Sequence, residues 1–435
     1  MYIKRDIEKE LEEWLVSDSK KPLLIRGARQ VGKSSTIRNF GKNFSNFLEI
    51  NFDANEAFGK VFEKTITPKE VCEELAIITG TKITEGKTLL FLDEIQVCPR
   101  AISSLRYFYE QMPNLHVIAT GSLLEFALSE LPSFGVGRIH SIFMYPFSFK
   151  EFLMAINQSQ YISVIENASF SKPIFEVAHE KLLGFFKKYI IIGGMPEAVA
   201  TYAKTQDLLK VERVLADIVN SYQTDFAKYN EKVPGIRINN VLEEVAKRVG
   251  TKFMYVDLGR QYKNPQIKEG LELLRLAGLI YPTVHTSANG IPLGAELDNK
   301  KTKYLIFDTG IYLQILGLNL GEVLLADEVS FVNKGNIAEL YVGIELVKSH
   351  YAHKFPELHY WHRESRNSQA EVDFVVQKGE NIIPIEVKAG KSGSMKSMHI
   401  FLQEKNSSYG IRTAFENFSE YENIKVLPLY AVSEV

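Results

Sequence analysis

At 435 residues the chain is too long for one ordinary hydrophobic core, and its 45% hydrophobic and 24% charged content is that of about two to four globular domains. Fifty-one basic residues against 53 acidic ones leave a net charge of −2, so there is no overall nucleic-acid signal and any basic surface must be local. The only cysteines, Cys72 and Cys98, have no metal-binding spacing, and no apolar run approaches a membrane span, so a reduced, cytoplasmic protein without a membrane partner is expected.

The N-terminal residues run straight into a charged amphipathic helix with Ile7, Leu11, Trp14 and Leu15 at helical spacing, unlike a signal peptide or an anchor. An apolar run at 22–25 reads as a buried strand. It leads into Gly27-Ala28-Arg29-Gln30-Val31-Gly32-Lys33-Ser34, a complete GxxxxGK[ST] phosphate-binding loop, and Ser35 then opens a helix. The glycines let the backbone wrap a phosphate chain, and the helix N-terminus presents free N–H groups to it. Lys33 is expected on the β/γ-phosphates of ATP and the Ser34 hydroxyl on Mg²⁺.

A short strand at 47–53 and a helix near 68–79 follow, then the apolar strand 88–92, which ends in Asp93-Glu94. This acidic pair lies about sixty residues after the loop, with another strand between. That placement assigns Asp93 to the magnesium through water and Glu94 to polarising the attacking water. Strand 116–119 ends in Thr120-Gly121-Ser122, and both Thr120 and Ser122 are candidates to orient that water. A fifth strand is expected at 139–144. Under the usual strand order the preceding Arg138 faces the same end of the sheet, touching the γ-phosphate directly or across a subunit boundary. Capping a helix and pairing with a surface carboxylate are equally open to it.

RGARQVGKSS at 26–35, LLFLDEIQ at 89–96, ATGS at 119–122, GRIHSIFMYPFSFKEF at 137–152 and GGMPEAV at 193–199 together resemble the prokaryotic AAA-type P-loop ATPases. More narrowly they resemble the branch fused to a C-terminal domain of unknown function related to PD-(D/E)xK nucleases. The resemblance runs through essentially the whole chain. It implies an α/β fold: a P-loop ATPase with a five-stranded parallel sheet over 1–150, a helical lid over 151–230, a winged-helix-like segment over 231–325 and a restriction-endonuclease-like α/β domain over 326–435.

Residues 150–230 are helical in pattern, broken at Gly193-Gly194-Met195-Pro196-Glu197 by a turn suited to a helix boundary. Three short helical patterns, 241–249, 255–259 and 265–276, precede strands near 278–281 and 303–308, which is the order of a winged helix. Its candidate recognition helix mixes Lys268 and Arg275 with Glu269 and Glu272, which favours a linking or docking role over DNA reading.

Near the C-terminus, strands at 358–363, 371–376 and 382–388 place Asp373 beside Glu386-x-Lys388, a D…ExK arrangement, and an upstream helix carries Glu339. Asp373 and Glu386 suit a hard divalent cation, with the Val387 carbonyl as a further candidate ligand. Glu339 is expected to complete the shell or hold a second metal. Lys388 falls on the same strand face as Glu386 and is suited to orient or deprotonate a water. His350, His353, His359 and His362 crowd nearby, but no cysteine accompanies them and their spacing does not suit zinc. The leading expectation is an ATP-dependent or ATP-regulated DNA nuclease, with a homo-oligomer admitted. The alternative is a nucleotide-switched signalling or scaffold protein that binds a partner without cleavage.

Overall fold

The computed structural model describes residues 2–122, 128, 137–226, 233–318, 335–365, 368–388 and 395–435. They form two compact units, Met1–Tyr145 with Tyr351–Phe355, and Pro146–His350 with Pro356–Val435.

The first unit is built on five strands: β1 Leu23–Arg26, β2 Asn46–Asn51, β3 Thr88–Asp93, β4 His116–Thr120 and β5 His140–Phe143. They lie in the order β2-β3-β4-β1-β5, and every pairing is parallel. All residues of β3 and β4 are buried, as expected for a parallel sheet whose strands read as continuous apolar runs. Leu24, Ile50, Phe62, Leu75, Leu92, Leu105 and Phe108 belong to one core cluster. Because the pairings are parallel, the C-terminal ends of β1, β3 and β4 share one edge, where ligands bind in open α/β sheets. The segment Tyr351–Phe355 covers the outer side of β5. Phe143 N donates to Ala352 O at 2.8 Å, and Tyr145 Oη to Tyr351 O at 2.7 Å.

The second unit begins with helices Phe149–Ala155, Gln160–Glu166, Glu176–Ile192, Pro196–Thr205 and Leu208–Phe226. Ser148 and Glu151 form a reciprocal capping box on the first of them. The Gly193-Gly194 turn separates the third and fourth. Gly193 has φ 74°, and Gly194 N donates to the buried Asp308 at 2.6 Å. Helices Gly235–Lys247 and Asn264–Leu276 come next, with a 3-10 turn at Tyr255–Asp257 between them.

Eight strands follow: β6 Ile280–Thr286, β7 Leu297–Ile306, β8 Leu358–Ser365, β9 Ser368–Lys378, β10 Asn381–Val387, β11 Gly410–Ala414, β12 Ser419–Tyr421 and β13 Ile424–Pro428. They form one mixed sheet in the order β12-β13-β11-β10-β9-β8-β6-β7. This corrects the reading of β6 and β7 as a separate wing. β6 pairs with β7 on one side and in parallel with β8 on the other, so the hairpin extends the C-terminal sheet.

Candidate functional site

The phosphate-binding loop joins β1 to the helix Lys33–Phe40. Its shape needs left-handed backbone at Gly27 (φ 140°), Gln30 (φ 63°) and Gly32 (φ 98°). A Cβ on Gly27 would lie 2.1 Å from Met144 O, so only glycine lets the loop pass there. Ala28 and Val31 are buried and hold the loop to the sheet. Ser35 Oγ donates to Gly32 O at 2.8 Å. Lys33 Nζ donates to the carbonyls of Gly27 at 2.9 Å and Ala28 at 2.8 Å. Burial pulls the Lys33 ammonium down to about 8, against the opposing pull of Glu94 and Asp93. Arg5, which the sequence did not single out, is buried and braces the loop. It donates to Val31 O at 2.8 Å and Tyr145 O at 2.7 Å.

Asp93, at the C-terminal end of β3, collects donors from three elements. Ser34 Oγ reaches Oδ1 at 3.0 Å, the Thr120 hydroxyl reaches the same atom, and Asn51 Nδ2 reaches Oδ2 at 3.3 Å. Arg38 lies 3.9 Å from Oδ2. A hydroxyl and a carboxylate brought together in this way are hard oxygen donors suited to Mg²⁺. Glu94 has φ 52°, a strained conformation for a non-glycine residue, and accepts from Ser122 Oγ at 3.2 Å and Gln96 Nε2 at 2.6 Å. Both hydroxyls of the 120–122 turn therefore touch the acidic pair, Thr120 on Asp93 and Ser122 on Glu94. Asn51 and Gln96 were not foreseen.

Arg138 is not at this edge. It precedes β5, whose first residue His140 is in register with Leu23 at the start of β1. The four residues of β5 therefore separate it from the loop end, at about 3.3 Å each. Its guanidinium pairs with Glu110 on the helix Pro99–Gln111. The expectation that it faces the same end as Thr120 and Ser122 is corrected, because parallel pairing puts strand starts opposite strand ends.

In the second unit, β9 and β10 bring Asp373 and Glu386 together as the spacing suggested. Asp373 Oδ2 accepts from Val387 N at 2.7 Å, and Lys388 Nζ donates to Glu386 Oε1 at 2.6 Å. Glu386 Oε2 is buried and accepts no hydrogen bond. Burial pushes Asp373 and Glu386 upward, Glu386 to about 7 with the Asp373 charge adding to it.

A residue the sequence did not single out dominates the rest of the cluster. Lys303 on β7, with a side chain 2% exposed, donates to Glu339 Oε1 at 3.1 Å and Glu371 Oε1 at 2.5 Å. Burial opposes its charge, but Glu339, Glu371 and Asp373 outweigh that and hold it above the usual lysine range. Burial lifts Glu339 to about 8, with Lys303 opposing. Glu339, expected beside a metal, thus faces an ammonium. Among the described residues no group of three or more His, Cys, Asp or Glu side chains is arranged to hold a metal ion.

The histidines do not converge. His350 Nδ1 lies 2.7 Å from Ser349 Oγ, while His353 stacks on His140 and reaches Glu10 at 2.9 Å. Cys72 and Cys98 are free and buried. Among the described residues no helix is long and apolar enough to cross a membrane.

Comparison with known proteins divides the chain into three segments. Residues 19–153 match a family model described as an AAA domain, 184–322 match Domain of unknown function (DUF8612), and 334–432 match Domain of unknown function (DUF4143). The N-terminal unit is thus similar to AAA-type P-loop ATPases, and two domains of unknown function follow. An uncharacterized protein of Haemophilus influenzae is 24% identical over 386 residues, covering 84% of this chain and 81% of that protein. Among solved structures, a Walker-type ATPase of Pyrococcus abyssi is 17% identical at a TM-score of 0.48, covering 72% of this chain and 96% of its own. The RuvB Holliday junction branch migration motor of Thermotoga maritima is 15% identical at a TM-score of 0.30, covering 68% and 93%.

Proposed function

We propose that the chain hydrolyses ATP with Mg²⁺ at the C-terminal edge of the five-stranded sheet, and that this cycle governs a metal-dependent, DNA-directed site in the C-terminal unit. The observation that carries the first half is the convergence of Ser34, Thr120 and Asn51 on Asp93, with Glu94 held beside it by Ser122 and Gln96. Ser34 and Asp93 would hold the magnesium, which when bound offsets the charge of the phosphate chain. The loop N–H groups and Lys33 bind and orient that chain. Glu94 is the group that accepts the proton of the attacking water, and Ser122 and Gln96 fix its carboxylate. Arg138, at the far end of the sheet, reaches a nucleotide only across a subunit boundary, and a homo-oligomer enters the reading through that residue alone.

The second half rests on Asp373 and Glu386 lying on the neighbouring strands β9 and β10, with Lys388 paired to Glu386 and the buried Oε2 of Glu386 left for a cation. Mg²⁺ bound there would polarise a phosphodiester and acidify a water. Lys388, ion-paired to Glu386, is placed to orient that water. The alternative, a nucleotide-switched protein whose C-terminal unit binds a partner without cutting, is favoured by one observation: Lys303 and Lys388 already neutralise part of the carboxylate cluster.

Two assays test the halves separately. Labelled ATP should bind the full chain in Mg²⁺, and Lys33→Ala should abolish that binding. Linear, circular, branched and single-stranded DNA incubated with Mg²⁺ or Mn²⁺, with and without ATP, should include a substrate that is cut by the wild type and spared by Asp373→Ala. A full panel left uncut, with ATP binding intact, selects the switch reading.

A further inference from the structure

Lys303 pairs with Glu339, the carboxylate expected to complete a metal shell or hold a second metal. Its ammonium is bonded to Glu339 on the helix Gly335–His350 and to Glu371 on β9, and its Nζ lies 5.0 Å over the ring of Tyr360. Nearly the whole side chain is enclosed, so this charge does not exchange with solvent cations. The residue comes from the segment that matches the first domain of unknown function, while its carboxylate partners lie in the segment that matches the second. The pairing of β6 with β8 brings the two segments into one sheet and carries β7 to the cluster.

The charges point to what remains to be bound. The ammonium of Lys303 is paired with Glu339 and Glu371, and that of Lys388 with Glu386 Oε1. Buried ions persist only when paired, and the one carboxylate oxygen of this group that is buried without a hydrogen-bond partner is Glu386 Oε2. In two-metal phosphodiester sites a second ion lies about 3.5–4 Å from the first and balances the charge of the leaving oxygen. An ammonium fixed by two carboxylates supplies that charge but has no open coordination position.

We propose that Lys303 is a built-in substitute for a second divalent cation, so that the C-terminal site takes one Mg²⁺ or Mn²⁺ on Asp373 and Glu386. Lys303 is a positioning residue in this scheme. It holds Glu339 and Glu371 away from the metal and contributes positive charge beside it. The inference rests on the metal-dependent reading of Asp373 and Glu386 given above.

The test is the number of Mn²⁺ ions bound per full-length chain, read calorimetrically and from the loss of the free-ion paramagnetic signal without nucleotide, at a pH above 8. Asp373→Asn, measured alongside, identifies the ions that belong to this site. The wild type should bind one Asp373-dependent ion and Lys303→Arg also one. Lys303→Met, which frees Glu339 and Glu371, should bind two. Two Asp373-dependent ions in the wild type, or only one in a folded Lys303→Met variant, overturns the role given to Lys303 and leaves the metal reading standing. No Asp373-dependent ion in the wild type overturns the metal reading itself. Where Lys303→Met does not fold, Lys303→Gln is counted in its place, with two Asp373-dependent ions expected and one overturning the role.

Discussion

Asp93 is where the first unit's architecture becomes chemistry. The loop helix, β2 and β4 each place one polar side chain on it, and only a parallel sheet in this strand order brings those three elements to one carboxylate. At the opposite end of β4, His116 shows how burial alone sets a residue's behaviour. Its ring packs edge-on against Trp14 at 5.8 Å and Phe44 at 5.1 Å, and neither ring nitrogen has a hydrogen-bond partner. Burial holds its pKa below the usual 6.5, with Lys20 adding to the effect. The unfolded chain therefore takes up this proton first as pH falls. Its titration costs nothing well above 6.5, and stability is lost as pH drops through 6.5 toward the folded-state value. One proton corresponds to a slope of at most about 1.4 kcal/mol per pH unit. His116→Phe should accordingly flatten the acid limb of a melting-temperature profile relative to wild type. Parallel profiles below pH 6.5 would contradict this.

At the scale of elements, the Gly193-Gly194 turn ties two helices to the start of a third. A Cβ on Gly194 would lie 2.2 Å from Phe147 O, and one on Gly193 would lie 2.2 Å from the Asp308 carboxylate. Asp308 also caps the helix Thr309–Ile315 through Ile311 N at 3.0 Å, so it accepts from both elements. Gly194→Ala should destabilise the second unit by about 1–3 kcal/mol, the usual range for overpacking. Denaturant unfolding would measure it, and a change below the error of extrapolation would contradict the packing described.

The sequence showed this turn and the phosphate-binding loop because each is punctuated by a pair of glycines, adjacent at 193–194 and spaced in the GxxxxGK[ST] pattern at Gly27 and Gly32, with its helix or strand alongside. Lys303 was hidden for the opposite reason. It lies 36 residues from Glu339 and 68 from Glu371, and as the first residue of the expected strand 303–308 it reads as an ordinary solvated strand end. Its one local signal was phase: it shares the strand face of Leu305, which is buried with it. The merging of β6 with β8 had no local signal either, because strand partners in a mixed sheet are chosen by non-local packing. Arg138 was within reach of the sequence: it precedes a strand of a parallel sheet, whose start lies opposite the strand ends that carry Thr120, and its pairing with Glu110 is the surface-carboxylate alternative left open.

At the scale of the whole molecule, the two units are interleaved in sequence, with five residues between His350 and Pro356 belonging to the first. Those five are part of its structure. Besides the bonds from Phe143 and Tyr145, His353 pairs with Glu10 on the helix Glu8–Val16 and stacks on His140. A fragment ending at residue 150 would leave the outer side of β5 uncovered, and an uncovered edge strand invites aggregation. Such a fragment should melt below the full chain or aggregate when expressed alone. A 1–150 fragment as stable as the ATPase unit of the intact chain would show that Tyr351–Phe355 is dispensable.

The most direct test of the account is phosphate release from ATP by the full chain in Mg²⁺, measured for wild type and Glu94→Gln beside a check that both bind nucleotide. The wild type should turn over, and Glu94→Gln should bind ATP normally while losing about 10²-fold or more in rate, because only the proton-accepting group is removed. Wild-type protein that binds ATP without releasing phosphate, or a Glu94→Gln variant with undiminished turnover, would contradict the assignment of hydrolysis to the site built around Asp93 and Glu94.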